Sequence, residues 1–209
     1  MLVWTRNNLL IILLALSLVQ CGRQEVVAPE ISVDEFLSGD LAFRRGRTME
    51  SDAIAGMGGS RYDYSHVGVI VSHGDSMCVV HVEPMREGDE RVKVVSIEEF
   101  FHPENAVKGC VTRCEALSEQ QRHIIEREAM ALVRRGVGFD HDYRLSDTTA
   151  MYCTELVDFL FRKVDLSLTE QRHRVPLAQE YVLLPSSIMR EGALNVVWRY
   201  DLRPARHNL

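Results

Sequence analysis

A chain of 209 residues, 46% of them hydrophobic, is long enough to bury one real core, and its length favours one compact domain over two. Its formal net charge is −6, and 24 basic against 30 acidic side chains leave no basic field to hold a phosphate backbone. Nucleic acid is therefore not an expected partner.

Arg6 followed by the apolar run Leu9 to Val19, interrupted only by Ser17, reads as an export signal over residues 1–21. Gly22, Arg23, Gln24 and Glu25 end the run well short of the roughly 20 apolar residues that a membrane-crossing helix needs. Leu18-Val19-Gln20-Cys21-Gly22 resembles the lipobox of bacterial lipoproteins, with Gln20 where that motif has a small residue. The resemblance implies a lipid anchor on Cys21 and a membrane-attached protein of the bacterial cell envelope, facing the periplasm. Secretion with cleavage elsewhere, or an uncleaved anchor, are the alternatives. Residues 22–32 form a polar, Pro-containing tether, and residues 33–209, free of repeats and low-complexity tracts, read as the folded domain.

Gly39-Asp40 is a turn signal before a short strand, Leu41 to Phe43, and Met49 to Ala55 has the length of one or two helical turns. The following loop, Gly56-Met57-Gly58-Gly59, lacks the Gly-Lys-Ser/Thr ending of a phosphate cradle. His66 to Val71 alternates, with Val67, Val69 and Val71 on one face and His66, Gly68 and Ile70 on the other; Met77 to Val82 does likewise. Ser72-His73-Gly74-Asp75 between them is a hairpin turn by composition. Centred between His73 and Gly74, an unbulged hairpin sets His66 directly opposite His81, their Cβ atoms ~5 Å apart. Val107 to Cys114 reads as a strand, which holds Cys110 and Cys114 ~13 Å apart, beyond disulfide reach. With Cys78 they read as apolar packing residues.

Ser118 and Gln121 make a capping-box pattern, and Ile125, Ala129, Leu132 and Val133 form a helical stripe that ends at Arg134-Arg135-Gly136. Residues 136–150 read as a polar loop, in which Asp140, His141 and Asp142 lack the ligand spacing of a calcium loop and are expected to be solvated beside a cleft. Leu156, Val157, Leu160, Phe161 and Val164 recur at helical spacing, so Cys153 falls at a helix N-terminus. Val196 to Tyr200 is the last strand. Meandering strands with separate helices predict an α+β fold, an antiparallel sheet packed against helices. Arg44, Arg45 and Arg47 are expected to line a solvated strand edge, with an anion site as the alternative.

A cysteine in the first helical turn meets free backbone N–H groups and the positive end of the helix dipole, both of which favour thiolate. Cys153 as nucleophile, His66 as base and His81 as the group that orients it would supply what acyl transfer by cysteine requires. The plainer readings are a small buried Cys153 and two strand histidines with no shared task. Two histidines and a cysteine are also a plausible zinc set, although no CxxC or HExxH accompanies them. A serine hydrolase is disfavoured because no Gly-x-Ser-x-Gly elbow occurs.

Four segments, residues 39–46, 64–71, 79–84 and 152–157, resemble the YiiX/YebB-like hydrolases. These are circularly permuted relatives of the NlpC-type papain-like peptidases, with lecithin retinol acyltransferase a more distant cousin. The likeness runs from about residue 33 onward, includes Gly138-Phe139-Asp140 and Pro185-Ser186, and is specific in its order of histidine first and cysteine last. It implies a permuted papain-like (NlpC-type) fold with Cys153 as nucleophile, His66 as base and His81 as third polar residue, without a cofactor or metal. The implied activity is a thiol amidase or peptidase acting through an acyl-enzyme thioester on an amide- or ester-containing envelope substrate, a peptidoglycan peptide or a lipid. Glu83 lies two positions beyond the expected register and is not expected to be the third residue, while Tyr64 and Tyr152 are expected to shape the cleft. A lipid-directed acyltransferase or lipase on the same fold, and an inactive envelope-binding lipoprotein, are the competing functions.

Overall fold

The computed structural model describes residues 28–59, 61–85, 88–144, 148–175, 178, 180–191 and 193–204. The export signal, Cys21 and the tether up to residue 27 lie outside the described residues. A 3-10 turn, Val33–Glu35, leads into β1 (Leu41–Arg45), α1 (Met49–Met57), β2 (His66–His73), β3 (Ser76–His81), β4 (Lys93–Ser96) and α2 (Ile97–Phe100). There follow β5 (Lys108–Cys114), α3 (Glu119–Arg135), β6 (Gly138–Phe139), β7 (Ala150–Met151), α4 (Cys153–Arg162), β8 (His173–Arg174), β9 (Tyr181–Val182), α5 (Pro185–Glu191) and β10 (Leu194–Asp201). The six longer strands form one antiparallel sheet in the order β10-β5-β1-β2-β3-β4, and the fold is α+β.

Strand alternation divides the core in two. Leu41, Phe43, Val67, Val69, Val71, Val80 and Cys110 pack on one face with Ile125, Leu132, Leu156 and Leu160 of α3 and α4. Ala42, Ile70, Val79 and Val111 face the other way, toward Ile97, Phe100 and Phe101. Helix α3 has the expected ends, a Ser118–Gln121 capping box and Gly136 in the left-handed region at φ 64°. Helix α1 runs two residues past Ala55 into the expected glycine loop, with the Thr48 side chain capping its start.

Two expectations change here. The sheet places β1 in its interior, so Arg44 and Arg45 at its end are not a solvated edge. Arg44 is buried on the Phe100 carbonyl and Glu83, Arg45 pairs with Asp63 and Asp52, and Arg47 donates to the Pro103 carbonyl. The charges of Arg44 and Arg45 are paired within the protein, whereas Arg47 is exposed. The hairpin turn has two residues, Gly74 at φ 62° and Asp75, and the ladder pairs Val69 with Val80 and His73 with Ser76. The register is thus two residues away from one that pairs His66 with His81.

No described helix is long and apolar enough to cross a membrane. Among the described residues Cys78, Cys110, Cys114 and Cys153 are all free thiols.

Candidate active site

The ladder between β2 and β3 stops at Val69–Val80. Continued in the same register, Gly68 would face His81 and His66 would face Glu83. A slip of two residues keeps side chains on the same face, so His66 and His81 still meet, now on the diagonal. His66 Nε2 lies 2.9 Å from His81 Nδ1, with the rings edge to face. Gly68 makes this possible: a Cβ there would sit 2.5 Å from Val79 Cγ1 and 3.0 Å from the His81 Cβ. Both imidazoles rest against Phe100, at centroid distances of 5.8 and 5.2 Å.

Glu83, set aside on the expected register, belongs to this cluster. Arg44 lies opposite His66 on β1 and ion-pairs with Glu83, while Lys93, paired with His81 on β4, reaches Glu83 Oε1 at 3.1 Å. One donor atom from each of His66, His81 and Glu83 falls within 4.8 Å of the others.

Cys153 arrives from the opposite face as the first residue of α4. Two bonds fix the helix start to the chain before α5: Thr154 Oγ1 donates to the Leu183 carbonyl at 2.8 Å, and the Leu183 N–H donates to the Tyr152 hydroxyl at 3.1 Å. The next ladder pair in β2 and β3 would be Val67 with Val82. It does not form, and the Val67 N–H turns to the Cys153 sulfur, together with the N–H groups of Thr154 and Cys153.

Burial decides the protonation states. It pushes the Cys153 thiol up to about 11, and the three N–H groups pull the other way without overcoming it. The N–H groups of the helix start favour thiolate, as expected, but burial outweighs them. Burial, then the nearby Arg44 charge, pulls His66 down to about 3, with Glu83 acting in the opposite sense. His81 is likewise held well below the usual histidine range, by burial and then by His66. At neutral pH the cluster rests as neutral thiol and neutral imidazoles.

The bond between the rings admits two tautomer pairs, and a base role for His66 selects one of them. With His66 Nε2 engaged by His81, Nδ1 is the ring nitrogen left to accept a proton. In that pair His66 donates through Nε2–H to His81 Nδ1, and His81 carries its hydrogen on Nε2. That atom is buried with no hydrogen-bond partner among the described residues, in a side chain only 1% exposed. As a donor left unpaired in that tautomer it would cost about 1–3 kcal/mol.

Cys153 and His66 open on the same cavity of about 220 Å³, walled also by Met57, Phe139, Tyr143 and Leu183. Among the described residues no charged side chain lines it. Asp140, expected to be solvated, is buried and accepts the N–H groups of Asp142 and Arg144, folding the loop so that Tyr143, at φ 54°, packs on Tyr152 with ring centroids 5.3 Å apart. Asp142 is exposed, and His141 bonds Glu90 at 2.8 Å. Tyr152 shapes the cavity as expected, whereas Tyr64 is buried against Phe43 and beneath Lys108. The residues missed in the sequence are Glu83 and the cavity walls; the Gly138-Phe139-Asp140 segment was the available signal for the loop that carries Tyr143.

The class these features define is an α+β protein in which a strand-borne histidine, paired with a second, and a helix-borne cysteine line one cavity at one end of an antiparallel sheet. The same fold occurs in a solved structure described as metalloprotein yiiX from Escherichia coli O157:H7, at TM-score 0.63 and 21% identity, over 78% of this chain and 97% of that one. That likeness establishes a YiiX-like fold. No family model matches the chain, and no curated protein matches it.

Proposed function

We propose that the protein is a cysteine hydrolase of permuted papain-like (NlpC-type) architecture, of the YiiX/YebB-like kind, cleaving an acyl substrate of the cell envelope. The observation that carries the reading is the shared cavity: the Cys153 sulfur, at a helix start and on the Val67 N–H, opens on the same space as His66, which His81 holds by one ring nitrogen. In this reading His66 Nδ1 takes the thiol proton as the sulfur attacks the acyl carbon. The tetrahedral oxyanion collapses to a thioester, and His66 returns the proton to the leaving alcohol or amine. Water, deprotonated by His66, then releases the acid and restores the thiol. Because the resting pair is neutral, the charges form only when a substrate carbonyl is present to take up the electron pair. Envelope placement rests on the export signal and the lipobox-like Cys21 segment.

Incubating the protein and a Cys153→Ala control with envelope extracts, and comparing products by mass spectrometry, tests this directly. Products that vanish in the control are expected; identical profiles would overturn the reading.

A metal site is the second reading, favoured by the grouping of His66, His81 and Glu83 and by the description of the yiiX protein as a metalloprotein. The residues fit a metal poorly. Glu83 already pairs with Arg44 and Lys93, so a dication would gather further positive charge around one carboxylate. The two ring nitrogens, 2.9 Å apart, are also closer than the roughly 3.3 Å edge of a tetrahedral zinc site. Stoichiometric metal in the purified protein, lost in His81→Gln, would reverse this preference.

A further inference from the structure

We infer that Arg61 and Arg190 form a binding site for an oxyanion, a carboxylate or phosphate group on the leaving part of the substrate, at the rim of the cavity that holds Cys153. The substrate role rests on the thiol reading of that cavity and adds the chemical class of what lies beyond the scissile bond. The anion site itself stands on separate geometry.

The two arginines come from distant parts of the chain and meet on one ring. The Arg61 guanidinium carbon lies 5.3 Å from the Tyr62 ring centroid, and that of Arg190 lies 5.6 Å from the same centroid. The chain is pressed together there. A Cβ on Gly58 would fall 2.3 Å from the Tyr62 carbonyl oxygen and 2.7 Å from Ser186 Cβ, and Arg190 donates to the Gly58 carbonyl at 3.4 Å. An aromatic face attracts a guanidinium, yet two of them on one ring also set like charges against each other. Arg44, Arg45, Arg113 and Arg122 each have a carboxylate partner. Arg61 and Arg190 have none among the described residues, and both are exposed. Their remaining donors form planar forks of the shape that a carboxylate or phosphate accepts.

Position ties the pair to the site. Met57, Ser65 and Pro185 line the cavity, Gly58 and Tyr62 lie between the first two in the chain, and Pro185 opens α5. Arg190 is five residues farther along that helix, ~8 Å at the usual rise. Because the lining of the cavity carries no charge among the described residues, an anionic group on the substrate must find its counter-charge outside, and these two cations stand at the edge.

The test uses acetyl esters that share a phenolic leaving group and differ only at its far end: 4-acetoxyphenylacetate, 4-acetoxybenzylphosphonate and the neutral 4-acetoxyphenylacetamide, on the intact chain and on Cys153→Ala. Cys153-dependent hydrolysis is expected with a KM about ten- to hundredfold lower for an anionic ester than for the amide, the worth of a charge-assisted hydrogen bond. The advantage should shrink at high salt and fall toward onefold in Arg61→Gln, with part of it kept in Arg61→Lys. Whether the carboxylate or the phosphonate ester gains more identifies the group. Equal KM for all three esters would overturn the inference and leave the thiol reading standing. If no ester is turned over, an NMR titration of the intact chain with inorganic phosphate and with acetate decides the matter. Saturable shifts of the Arg61 and Arg190 Nε–H signals, the latter weakened in Arg61→Gln, support the site. Shifts no larger than those of the exposed Arg134 and Arg135 would overturn it.

Discussion

On one face of the central sheet Val67, Val69, Val71 and Val80 pack against α3 and α4; on the other, Arg44, His66, His81 and Glu83 stand around Phe100. The first face buries mostly carbon against carbon, with Thr112 Oγ1 its unpaired polar atom among the described residues. The second buries two imidazoles and an ion pair, and it contains an unpaired ring nitrogen, His81 Nε2. The contrast shows how the site is assembled. The histidine pair is built into the polar face and Cys153 is delivered from the aliphatic one, so His66 and Cys153 open on one cavity at the end of β2, where its pairing with β3 has stopped.

If the polar face serves chemistry, His66→Gln should have the largest effect. Cys153-dependent hydrolysis should fall by about a hundredfold to ten-thousandfold, the usual worth of a positioned base. A loss under threefold would assign the base elsewhere. The next effect is on stability. An unfolded histidine takes up its proton below about 6.5, whereas native His66 resists until about 3. The unfolded chain therefore binds more protons across that window, and stability falls as pH drops from about 6.5 toward 3, by an amount on the order of a few kcal/mol. Urea titrations at a series of pH values should show the fall, and in His66→Gln it should be smaller. An equal fall in both proteins would place the acid sensitivity outside His66.

Much of the contrast was legible in the sequence, and the reasons differ by residue. Alternation in residues 66–71 separates the two faces because each strand residue points opposite to the last. The hairpin was legible as a hairpin, but its centre was not: Ser72-His73-Gly74-Asp75 could turn about either of two midpoints, and the two-residue turn at Gly74-Asp75 moves every partner by two. The face survives such a shift and the direct partner does not. This is why His66 and His81 were paired correctly while Glu83 was set aside. The position of Cys153 followed from helical spacing, yet its protonation state depends on burial by segments remote in sequence. The same holds for the cavity, whose walls come from α1, the loop after α3 and the chain around β9.

Gly68→Ala probes the meeting point of the two faces. The added methyl would press on Val79 Cγ1 at 2.5 Å, the Val80 carbonyl oxygen at 2.9 Å and the His81 Cβ at 3.0 Å. Overpacking of this kind costs about 1–3 kcal/mol, and here it also displaces the ring that holds His66. Thermal unfolding should show the loss, and activity should fall further than stability alone explains. A stable variant of full activity would mean that β3 gives way freely and that the diagonal contact has no part in the reaction.

The smallest and most discriminating effect is expected of Glu83→Gln. Glu83 acts on the two reacting groups in opposite directions: its charge raises the Cys153 thiol and supports protonation of His66. Removing the charge while keeping the shape should therefore lower the pH midpoint of Cys153 alkylation by iodoacetamide, because the thiolate loses a repelling neighbour. Turnover should nevertheless drop, by about tenfold, because the imidazolium that must form beside Arg44 loses its counter-charge. A purely structural role, in which Glu83 only anchors Arg44 and Lys93, predicts loss of stability with an unmoved alkylation midpoint. Glu83→Asp, which keeps the charge, should restore the midpoint in the first case and have no bearing on it in the second. A more reactive thiol in a slower enzyme is an outcome that only a charge shared between nucleophile and base produces.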